Sequence, residues 1–221
     1  MRSMNYFDTI SDDFDCRQNP LDISSRMEWF ERQIASYLPK GSRVLDIGSG
    51  LGYFTRLSLK NNPETVSLDI AFRLLHRSKV PLPVNGSALQ LPFKDNTFDA
   101  VLSSECIEHT YEPLTALAEM VRVVRKKGTV ILSCPNKIWE WSVVIARALR
   151  LRKFDGIENW PSRRQIGLML RGTNANILNT AGLFIIPFQV KPLWPLIRFC
   201  NRNAQFLRTV MINQCWVIQK E

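Results

Sequence analysis

Short apolar runs alternate with amphipathic stretches over the first 136 residues of the chain. The apolar runs predict strands at 44–47, 65–69, 82–84, 98–103 and 128–134. Apolar positions at helical spacing predict helices at 54–59, 72–77 and 113–124. Met27, Phe30, Ile34 and Leu38 predict an earlier helix, which Pro39-Lys40-Gly41 ends. Strands that alternate with helices indicate a parallel, doubly wound sheet.

This alternation stops after Pro135. Residues 137–172 show no strand–helix rhythm and contain Trp139, Trp141 and Trp160 among many arginines. Beyond them, the pattern predicts a helix at 173–181 that Gly182 ends. Two further strands are predicted at 183–190 and 211–219, which brings the number of predicted strands to seven.

The most specific local signal lies where the first strand ends. Glycines stand at Gly48, Gly50 and Gly52, and glycine lets a backbone turn with positive φ and lets a ligand approach the main chain. A strand, a glycine turn and a helix N-terminus together form a nucleotide-type pocket. The dinucleotide fingerprint requires Gly-x-Gly-x-x-Gly, but Tyr53 stands where its third glycine would be. Asp46 would repel a pyrophosphate, and its carboxylate suits the cationic end of a ligand.

This turn resembles the first motif of the class I S-adenosylmethionine-dependent methyltransferases, in particular their type 11 group. The resemblance covers about residues 40 to 136 and implies S-adenosylmethionine as cofactor. It also implies an α/β fold, a Rossmann-like doubly wound sheet of seven strands, mostly parallel with one antiparallel strand near the C-terminus. The implied organisation is a single domain over 1–221. It comprises an N-terminal helical or lid segment (1–40), a cofactor-binding half (41–136) and an acceptor-binding half (137–221) with an insertion at 137–172.

The resemblance also implies the residues that hold the cofactor. Asp69 ends the second strand and stands where an acid binds the two ribose hydroxyls, and Ile70 would pack on the adenine. The run 85–93 resembles the adenine-recognition loop, although many members carry Asp where this chain has Ser87. We expect the cofactor to contact Asp46, Gly48, Ser49, Gly50, Gly52, Asp69, Ile70, Ser87, Ala88, Leu89 and Ser104.

Three polar residues follow the fourth strand at helical spacing, Glu105, Glu108 and His109. Two carboxylates and an imidazole suit a divalent cation such as Mg²⁺, to which Asn136 would add an oxygen. The segment resembles the O-methyltransferases of ubiquinone biosynthesis, in which these residues are implicated in cation binding. Two alternatives stay open at this stage. His109 would act as a catalytic general base without a metal, or the acids would only complement a helix dipole.

Charge divides the chain in two. The net charge of the 221 residues is +9, of which residues 1–121 contribute −4 and residues 122–221 contribute +13. A basic face attracts phosphate-bearing partners or simply aids solubility. The five scattered cysteines form no Cys-x-x-Cys pair, which argues against a zinc site and indicates a reducing compartment. With no signal sequence and no apolar run long enough to span a bilayer, we expect a cytoplasmic protein.

Aromatic residues at both ends of the chain admit two interpretations. Tyr6 would fold over the cofactor as a lid, or Phe7 and Phe14 would only pack the first helix onto the sheet. Trp141, Val144, Ile145, Ala148 and Leu151 share a helical face that arginines surround, and Trp194, Leu196, Ile197, Phe199 and Phe206 form a second patch. Such stripes are core packing, a wall of an apolar acceptor pocket, or a surface that docks at the inner face of a membrane.

The leading hypothesis is therefore an S-adenosylmethionine-dependent methyltransferase that acts on a small hydrophobic or lipid-like acceptor, by O-methylation. Two alternatives stay open, an RNA or protein methyltransferase that uses the basic C-terminal half, and a cofactor-binding adapter without catalysis. Nucleic acid is disfavoured as a partner, because methyltransferases that act on amino groups of such substrates carry an Asn/Asp-Pro-Pro-Tyr motif after the fourth strand. At that position this chain has Ser103-Ser104-Glu105-Cys106.

Overall fold

The computed structural model describes residues 2–150, 154, 156–184, 192, 194–195, 199–200 and 204–221. The side chains of residues 2–5, 17, 204 and 205 are outside that description. Three predicted features lie partly outside the described residues. They are the final part of the strand predicted at 183–190, Leu151 on the predicted helical face, and Leu196 and Ile197 of the second patch.

Seven strands form one sheet in the order β3-β2-β1-β4-β5-β7-β6. β7 runs antiparallel to both β5 and β6, and every other neighbouring pair is parallel, as the fold class predicts. The strands are β1 (Val44–Ile47), β2 (Thr65–Asp69), β3 (Pro83–Asn85), β4 (Phe98–Ser104), β5 (Val124–Pro135), β6 (Ala175–Leu183) and β7 (Asn213–Lys220).

Helices cover both faces of this sheet. They are α1 (Arg2–Thr9), α2 (Phe14–Arg17), α3 (Pro20–Tyr37), α4 (Tyr53–Leu59), α5 (Phe72–Ser78), α6 (Pro113–Val123), α7 (Glu140–Ala148), α8 (Arg163–Arg171) and α9 (Ala204–Leu207). Short 3₁₀ turns lie at Ser11–Asp13, Ile107–His109 and Lys137–Trp139. Among the described helices, none is both long and apolar enough to cross a membrane.

The apolar runs form strands because the parallel part of the sheet is covered on both sides. All four residues of β1 are buried, and β1 pairs with β2 on one side and β4 on the other. One face packs on α6 and α8 through residues such as Met120 and Ile166. The other face packs on α3 and α4 through residues such as Phe30 and Leu57.

Helix α3 confirms the predicted early helix and its end. The side chain of Asn19 accepts hydrogen bonds from the backbone of Leu21 and Asp22, and Pro20 occupies the first helical position. The helix ends at Tyr37, two residues before Pro39. Its buried face carries one cation among apolar residues, Arg26.

The C-terminal half corrects one prediction. The helix predicted at 173–181 is wrong, because Ala175–Leu183 form strand β6 along β7. The stretch 137–172 instead contains α7 and α8, and Ser162 and Gln165 start α8 with a capping box. The pairing of β6 with β7 shifts by one residue between Ile177 and Asn179. Because of this shift, apolar and polar residues do not alternate regularly along β6, and the usual sequence signal of a strand is missing. Pairing with β7 therefore outweighs local propensity here.

Candidate functional site

The sheet order reverses between β1 and β4, and the turn that leaves β1 lies at this point. Open α/β sheets bind ligands at the carboxyl edge of such a switch point. Gly48 has φ 70°, and a Cβ there would lie 2.5 Å from Cys106 Sγ. Gly50 has φ 51°. The turn therefore requires glycine for both conformation and space.

A cavity of about 980 Å³ opens beside this turn. Most of the residues predicted to hold the cofactor line it, although they come from four separate loops. They are Gly48, Ser49, Gly50, Asp69, Ile70, Ser87, Ala88, Leu89 and Ser104. The cavity therefore brings together the first turn, the end of β2, the loop after β3 and the end of β4.

Asp69 connects the glycine turn to the second strand. Its carboxylate accepts a hydrogen bond from Gly50 N at 2.7 Å and another from Ala71 N at 2.8 Å. Burial raises the pKa of this carboxyl, while the two backbone donors oppose that shift. The side chain lies on the cavity wall and is 8% exposed.

Asp46 does not line the cavity, and its contact with the cofactor stays a prediction. It is 1% exposed, and Thr55 Oγ1 donates a hydrogen bond to its Oδ2 at 2.6 Å. The Thr55 hydroxyl lies 2.9 Å from Ser67 Oγ, so Asp46 ties β1 to α4 and β2. Burial raises its pKa to about 7. Gly52 likewise lies outside the cavity wall, and a Cβ there would lie 2.6 Å from Val80 Cγ1.

Ser87 lies in the loop predicted to recognise adenine. Its hydroxyl accepts a hydrogen bond from Leu89 N at 3.2 Å and so shapes the turn of this loop. The preceding Gly86 donates from its backbone to Asp69 O. The loop predicted to recognise adenine is thus attached directly to the end of β2.

Glu105, Glu108 and His109 all line the cavity, but they do not form the predicted cation site. Among the described residues, no three His, Cys, Asp or Glu side chains are arranged to hold a metal ion. The charge of the Arg26 guanidinium opposes the effect of burial on the pKa of Glu105. The expected further oxygen is also engaged elsewhere, because Asn136 Nδ2 donates to the carbonyls of Thr209 and Met211.

His109 is oriented through its Nδ1. This atom lies 2.9 Å from Ile157 O, and because a carbonyl only accepts, Nδ1 carries the proton. Nε2 lies 3.8 Å from Glu108 Oε1. A neutral ring in this tautomer has Nε2 as its basic nitrogen.

Arg26 is the functional residue that sequence reasoning missed. It is 5% exposed, lines the cavity, and donates to Asp22 Oδ2 at 2.6 Å and to Ser104 Oγ at 2.9 Å. The nearby acids Asp22, Glu105 and Glu108 raise its pKa, so it stays charged. The sequence does contain a signal for this residue. Arg26 precedes Trp29 by three residues and Phe30 by four, so the helical period places its positive charge on the apolar face of α3.

Four buried polar atoms around Arg26 have no hydrogen-bond partner among the described residues. They are Asp22 Oδ1, Arg26 Nε, Glu105 Oε1 and Glu108 Oε2. Burial raises the pKa of both glutamates, and their mutual repulsion raises that of Glu108 further. Glu105 also adopts a left-handed conformation, with φ 52°, which is uncommon for a residue with a side chain. Unpartnered groups and strained backbone of this kind cluster at binding sites.

Aromatic side chains from the N-terminal segment and from the segment after β5 form one wall of the cavity. Tyr6 on α1 contacts Phe154 with ring centroids 4.7 Å apart, and Phe7 contacts His109 at 5.2 Å. Phe7 and Phe14 also pack on the small cluster that contains Leu51 and Leu74. The N-terminal segment therefore packs on the glycine turn and on α5, and it lines the cavity at the same time.

Among its described residues, the segment after β5 contributes to the cavity from Arg150 onward. Phe154, Ile157 and Trp160 line the cavity, and Trp160 is 6% exposed. The apolar stripe of α7 faces away from the cavity and is largely exposed, with Trp141 at 56% and Val144 at 60%. Within the part of the chain that the structure describes, these side chains lie neither in the core nor on the cavity wall.

Comparison with known proteins agrees with this geometry. Residues 45–132 match the family model described as "Methyltransferase domain". The chain is 31% identical over 132 residues to a demethylmenaquinone methyltransferase of Renibacterium salmoninarum, covering 58% of this chain and 56% of that protein. It is 39% identical over 117 residues to an uncharacterized protein of Methanocaldococcus jannaschii, covering 52% of this chain and 48% of that protein.

The fold has a full-length counterpart among solved structures. A protein of Thermotoga maritima, described as an S-adenosylmethionine-dependent methyltransferase and possible histamine N-methyltransferase, superposes with a TM-score of 0.67 and 16% identity. The match covers 98% of this chain and 99% of that one. The chain therefore has the same fold as this protein.

The segment that matches the methyltransferase-domain model is less than half of the chain. The chain spans about half the length of the curated relatives that it matches.

Proposed function

We propose that this protein transfers a methyl group from S-adenosylmethionine to an oxygen atom of a small, hydrophobic or lipid-like acceptor. The observation that carries this proposal is one continuous cavity. It runs from the glycine turn and Asp69 to an aromatic and apolar wall that includes Tyr111, Phe154 and Trp160. A methyltransferase needs such a combination, because donor and acceptor must meet in line inside one site.

The proposed cofactor roles follow from the cavity wall. Asp69 binds the ribose hydroxyls through its carboxylate, and Ile70 packs on the adenine. The backbone of Gly48–Gly50 and the loop Ser87–Leu89 enclose the rest of the nucleoside. The sulfonium of S-adenosylmethionine supplies an electrophilic methyl group, so the chain mainly has to orient the two reactants.

We assign the proton acceptor to His109. Its Nδ1 donates to Ile157 O, which holds the ring and leaves Nε2 as the basic nitrogen. The residues present do not fit a divalent cation, because Arg26 already supplies the positive charge beside Glu105. No step of the proposed reaction depends on Mg²⁺.

A quinone-like acceptor agrees with the aromatic wall and with the demethylmenaquinone methyltransferase among the relatives. Such acceptors are lipid-linked, and the exposed α7 stripe, which we define as Trp141, Val144, Ile145 and Leu149, supports a peripheral membrane contact. Lys137 and Arg147 flank this stripe, and the half of the chain that contains it has a net charge of +13. An anionic bilayer matches both the apolar and the basic character of this surface.

The test measures methyl transfer directly. The protein is incubated with S-adenosylmethionine labelled in its methyl group and with a short-chain demethylmenaquinol or a phenolic analogue in detergent micelles. We expect labelled product, with NMR of the product showing an O-methyl signal. A C-methyl product would overturn the assignment of the accepting atom, and absence of S-adenosylmethionine binding by calorimetry would overturn the whole proposal.

Asp69→Asn is the variant for the cofactor site, and Asp99→Asn is its matched control. Asp99 contacts Arg125 on the far side of the sheet, outside the cavity. We expect Asp69→Asn to weaken S-adenosylmethionine binding by about tenfold or more, since bonds to a charged group are worth about 1.5–3 kcal/mol. Equal effects of the two variants would contradict the role of Asp69.

A further inference from the structure

The loop between β3 and β4 is held by two charged side chains of α6 that the roles above do not use. Residues 87–89 of this loop, which is predicted to recognise adenine, line the cavity. Gly86 N donates to Asp69 O at 3.1 Å and attaches the start of the loop to β2. Glu119 and Arg122 attach its second half to α6. The part of the loop that lines the cavity is therefore held on both sides.

Both backbone groups of Leu91 bond to this pair. Leu91 N donates to Glu119 Oε2 at 2.8 Å, and Arg122 Nη2 donates to Leu91 O at 3.1 Å. Arg122 Nη1 also donates to Phe93 O at 2.9 Å and to Asp95 Oδ1 at 2.7 Å. The two side chains thus replace the neighbouring strand that this loop lacks, because they satisfy its peptide groups and fix their direction.

Glu119 and Arg122 also hold each other. Arg122 Nε donates to Glu119 Oε1 at 2.6 Å and Arg122 Nη2 donates to Glu119 Oε2 at 2.8 Å, which makes the pair bidentate. These bonds lower the pKa of Glu119 and raise the pKa of Arg122, so both side chains stay charged at neutral pH. A bidentate pair has one preferred geometry, and the peptide groups bound to it therefore have one preferred orientation.

Helix α6 gives this pair a rigid support. Met120 and Val123 on the same helix are fully buried in the core. Lys220 Nζ donates to Arg122 O at 3.0 Å and to Val124 O at 2.9 Å, which fixes the end of the helix against β7. The charged pair is therefore in place before any ligand binds, which lowers the ordering cost of binding.

The residue at position 87 makes the main chain of this loop important for recognition of a base. It is Ser87, and its neutral hydroxyl accepts a hydrogen bond from Leu89 N. A hydroxyl is a weaker acceptor for the amino group of a base than a carboxylate is. Selection of the base therefore depends on the peptide groups of residues 87–90. Gln90 N donates to Ser87 O at 3.2 Å, so this turn closes directly before Leu91 and follows its orientation.

We propose that Glu119 and Arg122 are positioning residues that give the cofactor site its selectivity for adenine. The proposal rests on the proposed function, because it assumes that residues 87–89 contact the base of the cofactor. Neither Glu119 nor Arg122 lines the cavity. They act through the backbone of Leu91, which orients the turn that does line it.

Calorimetry with two ligands that differ only in the base tests the proposal. S-Inosylhomocysteine has the ribose and the amino acid part of S-adenosylhomocysteine, with a carbonyl oxygen in place of the adenine amino group. We expect the native protein to bind S-adenosylhomocysteine at least about tenfold more tightly, because a mismatched base leaves polar groups of the loop without partners. Equal affinities would overturn the proposal, whereas no binding of either ligand would instead refute the proposed function.

Arg122→Met removes the guanidinium and keeps an unbranched side chain. We expect this variant to weaken S-adenosylhomocysteine by about tenfold and to change S-inosylhomocysteine by less than about threefold. Arg125→Met is the matched control, because Arg125 pairs with Asp99 outside the cavity wall, and it should leave both affinities unchanged. Equal weakening of the two ligands by Arg122→Met would mean a general loss of structure and would refute the positioning role.

Glu119→Gln/Arg122→Met keeps the test decisive if the single variant fails to fold. It removes both members of the ion pair, so neither charge is left without its partner. We expect the double variant to bind S-inosylhomocysteine as the native protein does and to lose the preference for S-adenosylhomocysteine. A folded double variant that retains the native ratio of the two affinities would overturn the proposal.

Discussion

Replacing Asp46 with asparagine tests whether a buried carboxyl group destabilises this fold at neutral pH. Asp46 is 1% exposed, and burial raises its pKa from 3.8 to about 7. Asparagine has nearly the same shape, and its Oδ1 still accepts the hydrogen bond from Thr55 Oγ1. The substitution therefore removes the ionisable proton and keeps the packing.

The magnitude follows from proton linkage. The folded protein retains the proton of Asp46 between pH 3.8 and about 7, whereas the unfolded chain releases it. The stability contribution of Asp46 is therefore fully present below pH 3.8 and is lost as the pH rises through about 7. At 1.36 kcal/mol per pKa unit, this shift corresponds to about 4 kcal/mol as an upper limit.

The assay is urea unfolding of the native protein and Asp46→Asn at several pH values from 4.5 to about 8.5. We expect the variant to gain stability relative to the native protein as the pH rises, by up to about 4 kcal/mol, with the gain complete above about pH 8. A difference that is flat with pH would refute the reasoning, because it would mean that Asp46 titrates normally in the folded state.

Three further predictions concern the turn, the surface and an ion pair. Gly48→Ala would place a Cβ 2.5 Å from Cys106 Sγ at φ 70°, so we expect a lower melting temperature and loss of S-adenosylmethionine binding by calorimetry. Trp141→Ser should reduce sedimentation of the protein with phosphatidylglycerol liposomes at low salt. Leu168 is about equally exposed on α8, so Leu168→Ser is the control and should leave sedimentation unchanged. Equal loss of sedimentation in both variants would contradict docking through α7. The pKa of Glu119 is lowered by its bonds to a neighbouring guanidinium, so its stabilisation is present above its ordinary pKa of 4.5 and is lost as the pH falls. Glu119→Gln should therefore cost about 1–2 kcal/mol in urea unfolding at pH 7 and much less at pH 3, and an equal cost at both would contradict this.

The parts of the site that follow one strand could be predicted from the sequence. Gly48, Gly50 and Asp69 lie within a few residues of a strand end, and the position of a strand end in a parallel sheet fixes the edge that the next residues reach. Ser87 and Glu105 follow β3 and β4 in the same way, and both line the cavity. Their individual contacts with a ligand stay predictions.

The sequence did not predict which distant residues a side chain would contact. Asp46 precedes the turn by two residues, but strand alternation points it into the interior toward Thr55. Asn136 follows β5 as expected, but its amide bonds to the chain just before β7, which is distant in sequence. Arg26 was overlooked because its partners Ser104 and Glu105 are almost 80 residues away.

The sequence by itself determined the doubly wound sheet, the glycine turn and the type of cofactor pocket. These properties depend on hydrophobic period and on backbone conformations that only glycine adopts readily, and both are local. The tertiary structure decided that residues 175–183 form a strand, that α7 exposes its apolar face, and that the buried guanidinium of Arg26 interacts electrostatically with Glu105 and Glu108. These outcomes depend on long-range strand pairing and on burial of charge, which arise only when distant segments pack together.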